Sequence, residues 1–459
     1  VSAVTARAEA LRAALLALAA ALAIVLLAPP GGDSAAHLYR TMLVRDGVAV
    51  WDNLWYGGQY PLASYSLLYY LPAAVVGNVP FVILAVVASA ALFAAIVTDE
   101  WGADARWPAR AFGLLAAGPL FTGTYSYAAG LAAALACLRL LQLRRPWLAV
   151  AAGALSLGFS PLAFAFLCLV LAAVAVGRRP GRRTLLVVTA GLGAVAVLQL
   201  VLMALFPSPG RYPFNDLSLA AALTVSALGA ALAYRVDRAR LLAPFFLLWA
   251  IVCLGAFLVP SPFGDNLTRL RGVVLPLVLL AAVLARFRPR WLAVAAVAVA
   301  LVYNLGPDIS ALPKRAGDTA SAAESYWRPP LDFLAARHDP DHRVEVVPTF
   351  GHWEAWWVPR AGYARSTSPR TPSCTTTRCV RTRTVAGSTG WPCASCSSRT
   401  RASGRSAPTA RRRSSHRAGR ASGRCSAPRT GACTRCRRRR RSSTAGRSRD
   451  SATSGSTAA

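Results

Sequence analysis

Residues 185–207 read LLVVTAGLGAVAVLQLVLMALFP, twenty-three positions without a charge, entered through Arg182 and Arg183. A helix needs about 20 apolar residues to cross the ~30 Å hydrocarbon layer of a bilayer. Comparable uncharged runs recur at 81–98, 217–234 and 241–260. Their recurrence excludes a single cleaved signal peptide. The reading is an all-α polytopic membrane protein, and an ordinary soluble enzyme is excluded.

Between the apolar runs, short loops hold nearly all the arginine of the first 305 residues. Short Arg-rich loops stay on the cytoplasmic side. Arg144 with Arg145, and the clusters at 178–183, 235–240 and 286–290, mark that side; Arg7 and Arg12 place the N-terminus there too. Two such clusters enclose residues 146–177, so this stretch must cross an even number of times, with Ser160-Pro161 as its outer turn. Spans are expected near 11–28, 80–98, 107–121, 124–143, 147–159, 161–176, 184–206, 217–234, 241–259, 272–285 and 291–305. That makes about eleven transmembrane helices, in a multi-pass protein of the cell membrane with residues from 306 onward extracytoplasmic. Parity lays residues 65–76 along the outer interface, with Tyr65, Tyr69 and Tyr70 at headgroup depth, where amphipathic rings are favoured.

The 459 residues carry 51 Lys+Arg against 19 Asp+Glu, unevenly spread. Up to Ala364 there are 28 basic and 18 acidic residues; beyond it, 23 Arg face a single acid, Asp450. In 365–459 only Val380, Val385, Trp391, His416 and Asp450 fall outside Arg, Ser, Thr, Ala, Gly, Pro and Cys. Nothing there builds a core. Three parts are expected: a transmembrane domain over 1–305, with 29–78 as a long first outer loop holding interfacial helices; the start of a small α/β extracytoplasmic domain over 306–364; and a disordered tail over 365–459. Within the second part, 328–338 reads as a helix and 343–347 as a strand. The abrupt change of texture at Ala364 leads us to expect a frameshifted tail, which leaves the α/β segment truncated. Cys393-x-x-Cys396 and Cys433-x-x-Cys436 have zinc-like spacing, and the arginines at 437–441 suit nucleic acid or anionic lipid. A zinc site needs packed partners around its ligands, and none are near. Neither a metal nor a nucleic-acid partner is expected. Cys137, Cys168 and Cys253 lie in apolar runs and read as small hydrophobes.

The first outer loop is the richest in chemistry. Asp33 follows the first helix directly, in Gly32-Asp33-Ser34-Ala35-Ala36-His37. A carboxylate beside lipid is costly and points to a working group, while the same setting suits a helix N-cap. His37, four residues on, shares its helix face. Trp51, Asp52, Trp55 and Tyr56, followed by Gly57-Gly58, combine flat apolar faces with hydrogen-bonding edges. Such a strip suits a sugar ring, or anchors the interface. In the loop 260–271, Arg269 and Arg271 stand on the outer side, against the charge rule. Their planar forks suit phosphate oxygens; a salt bridge to Asp265 or lipid headgroups is the alternative. Arg211 is a third candidate cation, and His352 and Glu354 read as ligands or as ordinary domain surface. No Gly-rich phosphate loop, HExxH or nucleophile elbow is present, so an ATP-driven enzyme is not supported.

Many apolar helices, a long first outer loop, an acid just after helix one and an outer soluble segment resemble the C-type (GT-C) superfamily of membrane glycosyltransferases, over roughly residues 1–364. The resemblance implies inverting transfer of a hexosyl or pentosyl group from a polyprenyl-phosphate donor to an extracytoplasmic glycan or lipid acceptor, without a cofactor. It implies Asp33 as catalytic base and Arg269 and Arg271 as phosphate clamp. His37, Trp51, Asp52, Trp55 and Tyr56 would complete the substrate site. The lone Asp33 departs from the paired acids of some members, with Asp52 a candidate second carboxylate. Two other classes stay open. A transporter or lipid flippase places ionisable groups in mid-membrane, and a non-catalytic cell-envelope assembly protein needs no reactive carboxylate.

Overall fold

The computed structural model describes residues 3–48, 65–178, 181–206, 212–259, 261, 263–337, 344–362 and 365–366. The chain is mostly helical. The elements are α1 (Ala3–Leu27), α2 (Ser34–Arg45), α3 (Tyr70–Val76), α4 (Asn78–Trp101), α5 (Arg106–Leu115), α6 (Gly118–Thr122), α7 (Tyr125–Gln142) and α8 (Pro146–Phe159). There follow α9 (Pro161–Gly177), α10 (Arg182–Leu205), α11 (Asp216–Tyr234), α12 (Leu242–Leu258), α13 (Arg271–Leu284), α14 (Arg290–Gly317), α15 (Glu324–Ala335) and α16 (Glu354–Arg360). Among the described residues, six helical stretches are long and apolar enough to cross a membrane, and α8, α9 and α12 are shorter apolar helices.

Lipid tails are as apolar as leucine, so helices in a bilayer associate by close packing of small residues. On α1, Ala13, Ala17 and Ala21 repeat every fourth position and are fully covered, against α4 and α5. The approach to α5 is so close that a Cβ on Gly113 would lie 2.7 Å from the Ala13 carbonyl oxygen. Between α8 and α9 the chain breaks at Ser160 (φ −156°, ψ 110°), whose hydroxyl accepts the Ala163 N–H, with Pro161 at the first helical position.

Charged pairs tie one set of helix ends. Glu9, fully covered near the start of α1, takes both donors of the Arg110 fork, at 2.8 and 3.0 Å, and pairs with Arg12. Asp99 meets Arg139, Glu100 meets Arg178, and Asp104 meets Arg238. These pairs join the end of α4 to the ends of α7 and α9 and to the turn after α11. Different bonds tie the opposite ends. Leu68 N–H donates to the Gly158 carbonyl (2.8 Å), Tyr212 N–H to the Ser261 carbonyl (3.1 Å), and the Asn304 amide to the Arg271 carbonyl (2.8 Å).

The structure departs from the sequence reading in several places. The stretch 107–121 is two helices, α5 and α6. α14 does not stop near 305 but runs to Gly317 through Pro307 and Pro313. A proline forfeits one backbone bond, and here Asp308 and Arg315 anchor the continuing helix to its neighbours. Tyr69 and Tyr70 are not interfacial rings but buried ones: Tyr69 packs edge-on against Tyr70 and donates to the Asn78 side chain at 3.2 Å. Tyr65 is 45% exposed. α3, with seven residues, spans only about 10 Å and does not cross.

After α14, Trp327, Trp353 and Val358 form a small core with Ala35 of α2. A parallel pair, β1 (Val344–Glu345) with β2 (Arg365–Ser366), flanks α16. The expected helix is present as α15, beginning four residues earlier at Glu324, and the expected strand as the two-residue β1. The expectations for residues 367–459 lie outside the described residues.

Candidate functional site

Asp33 stands at the N-cap position of α2, but its carboxylate makes no capping hydrogen bond. Its side chain is 53% exposed and faces Arg269, with Oδ2 4.0 Å from the guanidinium. The capping explanation therefore does not account for this acid. Its backbone is fixed by close approach: Gly123, at φ +82° between α6 and α7, lies where a Cβ would come 2.5 Å from the Asp33 nitrogen. Only glycine fits such a left-handed position against a neighbouring backbone.

Asp33, Arg269 and Arg271 line one cavity of about 260 Å³, near the lower end of small-molecule pockets. Its lining mixes apolar residues, Phe112, Leu115, Pro119, Leu131 and Val273 among them, with polar ones such as Thr122, Tyr127, Asp265, Asn266, Asn304 and Asp308. The 3-10 turn Gly264–Leu270 supplies Arg269, and α13 opens with Arg271. Arg271 is gripped at two points by α14: Asp308 holds its guanidinium (2.8 Å), and Asn304, one turn earlier, holds its carbonyl (2.8 Å). Arg271 thus pairs with Asp308 and not with Asp265, the partner of the alternative reading. Arg315, two turns beyond Asp308, stacks on Phe121 and donates to the Phe121 carbonyl, beside Gly32.

Sequence reasoning missed Asp308 and Arg315 because it ended the helix at residue 305. Their spacing of seven on a continuing helix face was the available signal.

His37 does not reach this cavity. Its ring is buried, stacked on Tyr125 (4.8 Å between centroids, 20°), with Nε2 2.8 Å from the Gly123 carbonyl and Nδ1 3.1 Å from the Tyr70 hydroxyl. A carbonyl only accepts, so Nε2 carries the proton and Nδ1 accepts from Tyr70. Burial pulls the imidazole down from 6.5 to about 4; Asp33 and the Gly123 carbonyl oppose this, and Arg269 and Arg40 add to it. The folded protein thus keeps His37 neutral while the unfolded chain takes up a proton as pH falls through 6.5. Stability linked to His37 is full above 6.5 and is lost toward pH 4. Thermal unfolding in detergent from pH 8 to 4 should show a steeper fall below pH 6.5 for the native chain than for His37→Gln.

Trp51, Asp52, Trp55, Tyr56 and Arg211 lie outside the described residues. His352 and Glu354 belong to the small core region rather than to the cavity. Glu354 is fully covered and accepts from the Thr349 N–H (3.0 Å) and hydroxyl (2.9 Å), which closes the turn before α16. No group of three metal-ligating side chains occurs among the described residues.

The class that these features define is a mostly helical chain with several helices long and apolar enough to span a membrane and a cavity of mixed polar and apolar lining that holds Asp33, Arg269 and Arg271. No protein-family model, curated protein or solved structure matches it.

Proposed function

We propose that the chain is a multi-pass glycosyltransferase of the cell membrane, with the GT-C type of architecture, moving a sugar from a polyprenyl-phosphate donor to an extracytoplasmic glycan or lipid acceptor. One observation carries the reading: a carboxylate free of capping duty shares a cavity wall with two guanidinium groups. The crossing pattern expected from the sequence is consistent with it. With eleven crossings, every acid–arginine pair at the ends of α4, α7, α9 and α11 falls on the cytoplasmic side, and the cavity falls outside.

In the reaction, Asp33 takes the proton of the acceptor hydroxyl as its oxygen attacks the anomeric carbon. The bond from that carbon to the phosphate oxygen breaks, and polyprenyl phosphate leaves with the electron pair. Inversion needs one base, unlike the double displacement of retention. Arg269 and Arg271 neutralise the charge growing on the leaving phosphate. A base and a leaving-group clamp lie on opposite sides of the reacting carbon, about 8 Å or more apart once two hydrogen bonds and a near-attack contact are allowed for. At 4.0 Å, Arg269 is too close to Asp33 for that geometry. Donor phosphate must therefore draw the long Arg269 side chain away, which frees the base as the donor binds. The apolar lining residues Phe112, Leu115 and Leu131 suit the first isoprene units.

The test uses the full chain in vesicles with polyprenyl-phosphate pentose and hexose donors and a candidate acceptor. Release of polyprenyl phosphate with formation of a new glycoside supports the reading. Donor moved across the vesicle intact points to a transporter, and neither event to an assembly scaffold.

A further inference from the structure

We infer that His37 is a positioning residue for Asp33, acting through the Gly123 turn; this deepens the sugar-transfer reading and rests on it. Two backbone segments meet at Asp33. A Cβ on Gly123 would lie 2.5 Å from the Asp33 nitrogen and 3.1 Å from its Cα, and a Cβ on Gly31 would lie 2.7 Å from the Gly123 Cα. The joint between α1 and α2 and the turn between α6 and α7 are thus seated backbone on backbone. Nothing in that seating is directional. Direction comes from two side-chain ties on either side of it: His37 Nε2–H to the Gly123 carbonyl (2.8 Å), and Ser34 Oγ with the Tyr125 hydroxyl (2.9 Å).

His37 is itself held. Tyr70 of α3 donates to its other nitrogen (3.1 Å), Tyr125 of α7 stacks on one face, and Tyr69 lies 5.5 Å away. The backbone carbonyl of His37 also receives the Thr41 hydroxyl (2.7 Å) and the Asn78 amide (3.3 Å). A ring gripped on both nitrogens transmits position well and has no free nitrogen for proton transfer. Cutting the Gly123 tie would leave its buried carbonyl with the Tyr125 N–H alone (3.0 Å), remove the bond that joins this turn to α2, and let the turn beside Asp33 shift. A displacement near 1 Å at a reacting group costs about 100-fold in rate.

The charges acting on the ring are Asp33, Arg40 and Arg269, and the titratable groups packed against it are the rings of Tyr69, Tyr70 and Tyr125. Burial outweighs them, so the ring stays neutral across pH 5–8. Positioning and proton transfer then predict different pH behaviour.

The experiment compares His37→Leu, His37→Gln, Ser34→Ala and Asp33→Asn in the vesicle transfer assay, with thermal unfolding of each in detergent. His37→Leu is expected to lower kcat at least tenfold with the donor KM unchanged. His37→Gln, whose amide can donate to the Gly123 carbonyl, should recover most of that loss and keep the native pH profile from 5 to 8. Ser34→Ala reads the second tie, should lower kcat several-fold, and serves if His37→Leu does not fold. The inference is overturned if His37→Leu turns over at the native rate, or if His37→Gln is as slow as His37→Leu and loses one limb of the pH profile. An active Asp33→Asn would instead overturn the sugar-transfer reading itself.

Discussion

Asp33→Asn is expected to cut sugar transfer by about 10² to 10⁴-fold, the usual range for a positioned general base, while leaving the unfolding midpoint almost unchanged. The two halves of this expectation come from the same observation. The Asp33 carboxylate accepts no hydrogen bond from the helix it precedes and is 53% exposed, so its charge is not what holds the fold. Asparagine is as good an N-cap residue as aspartate, and exposed substitutions of this kind stay within about 0.5 kcal/mol. The substitution gives up a long, half-exposed ion pair with Arg269, at the weak end of such pairs. Transfer rate and unfolding, measured on the same preparation, therefore separate three roles for Asp33. An enzyme loses turnover alone, a scaffold loses nothing, and a structural acid loses stability together with any activity.

Helical membrane character was legible because the bilayer imposes it. An uncharged run of the length of 185–207 has few other fates, and a helix is present there as α10. The Ser160-Pro161 turn was legible for a local reason, the cap-then-proline pattern. What failed to show was everything decided by tertiary packing. Gly306-Pro307 looks like a helix end, but the end is overridden because Asp308 finds Arg271 and Arg315 finds Phe121. Tyr69 and Tyr70 look like headgroup anchors by composition, yet a buried hydrogen-bond network with Asn78 and His37 takes them inside. For the site, Asp33, Arg269 and Arg271 stood out because the sequence reading made them break local rules, an acid expected beside lipid and arginines expected on the outer side, and in the structure they line one cavity. His37 was misplaced by helical spacing alone. Position i+4 gives a shared face, but not which neighbour that face meets, and Gly123 lies 86 residues away in the chain.

Arg269→Ala sets two effects against each other, and their magnitudes decide the sign. Removing Arg269 frees Asp33 from its 4.0 Å partner, which by itself would raise the fraction of ready base. That pair is partly exposed on both sides, 31% for Arg269 and 53% for Asp33, so the gain is at most about 1 kcal/mol, roughly fivefold. Once donor phosphate has drawn Arg269 onto it, removing this donor to a developing oxyanion costs about 10² to 10³-fold. The net expectation is a fall in kcat of about 10²-fold, with a smaller rise in donor KM because Arg271, gripped by Asn304 and Asp308, stays in place. Arg269→Lys should lie between the two, since a lysine keeps the charge but loses the planar fork. Steady-state rates with varied polyprenyl-phosphate sugar check the ordering native, Lys, Ala. If Arg269→Ala proved faster than the native chain, the guanidinium would be a restraint on Asp33 rather than part of a phosphate clamp. The leaving-group chemistry would then fall to Arg271 alone.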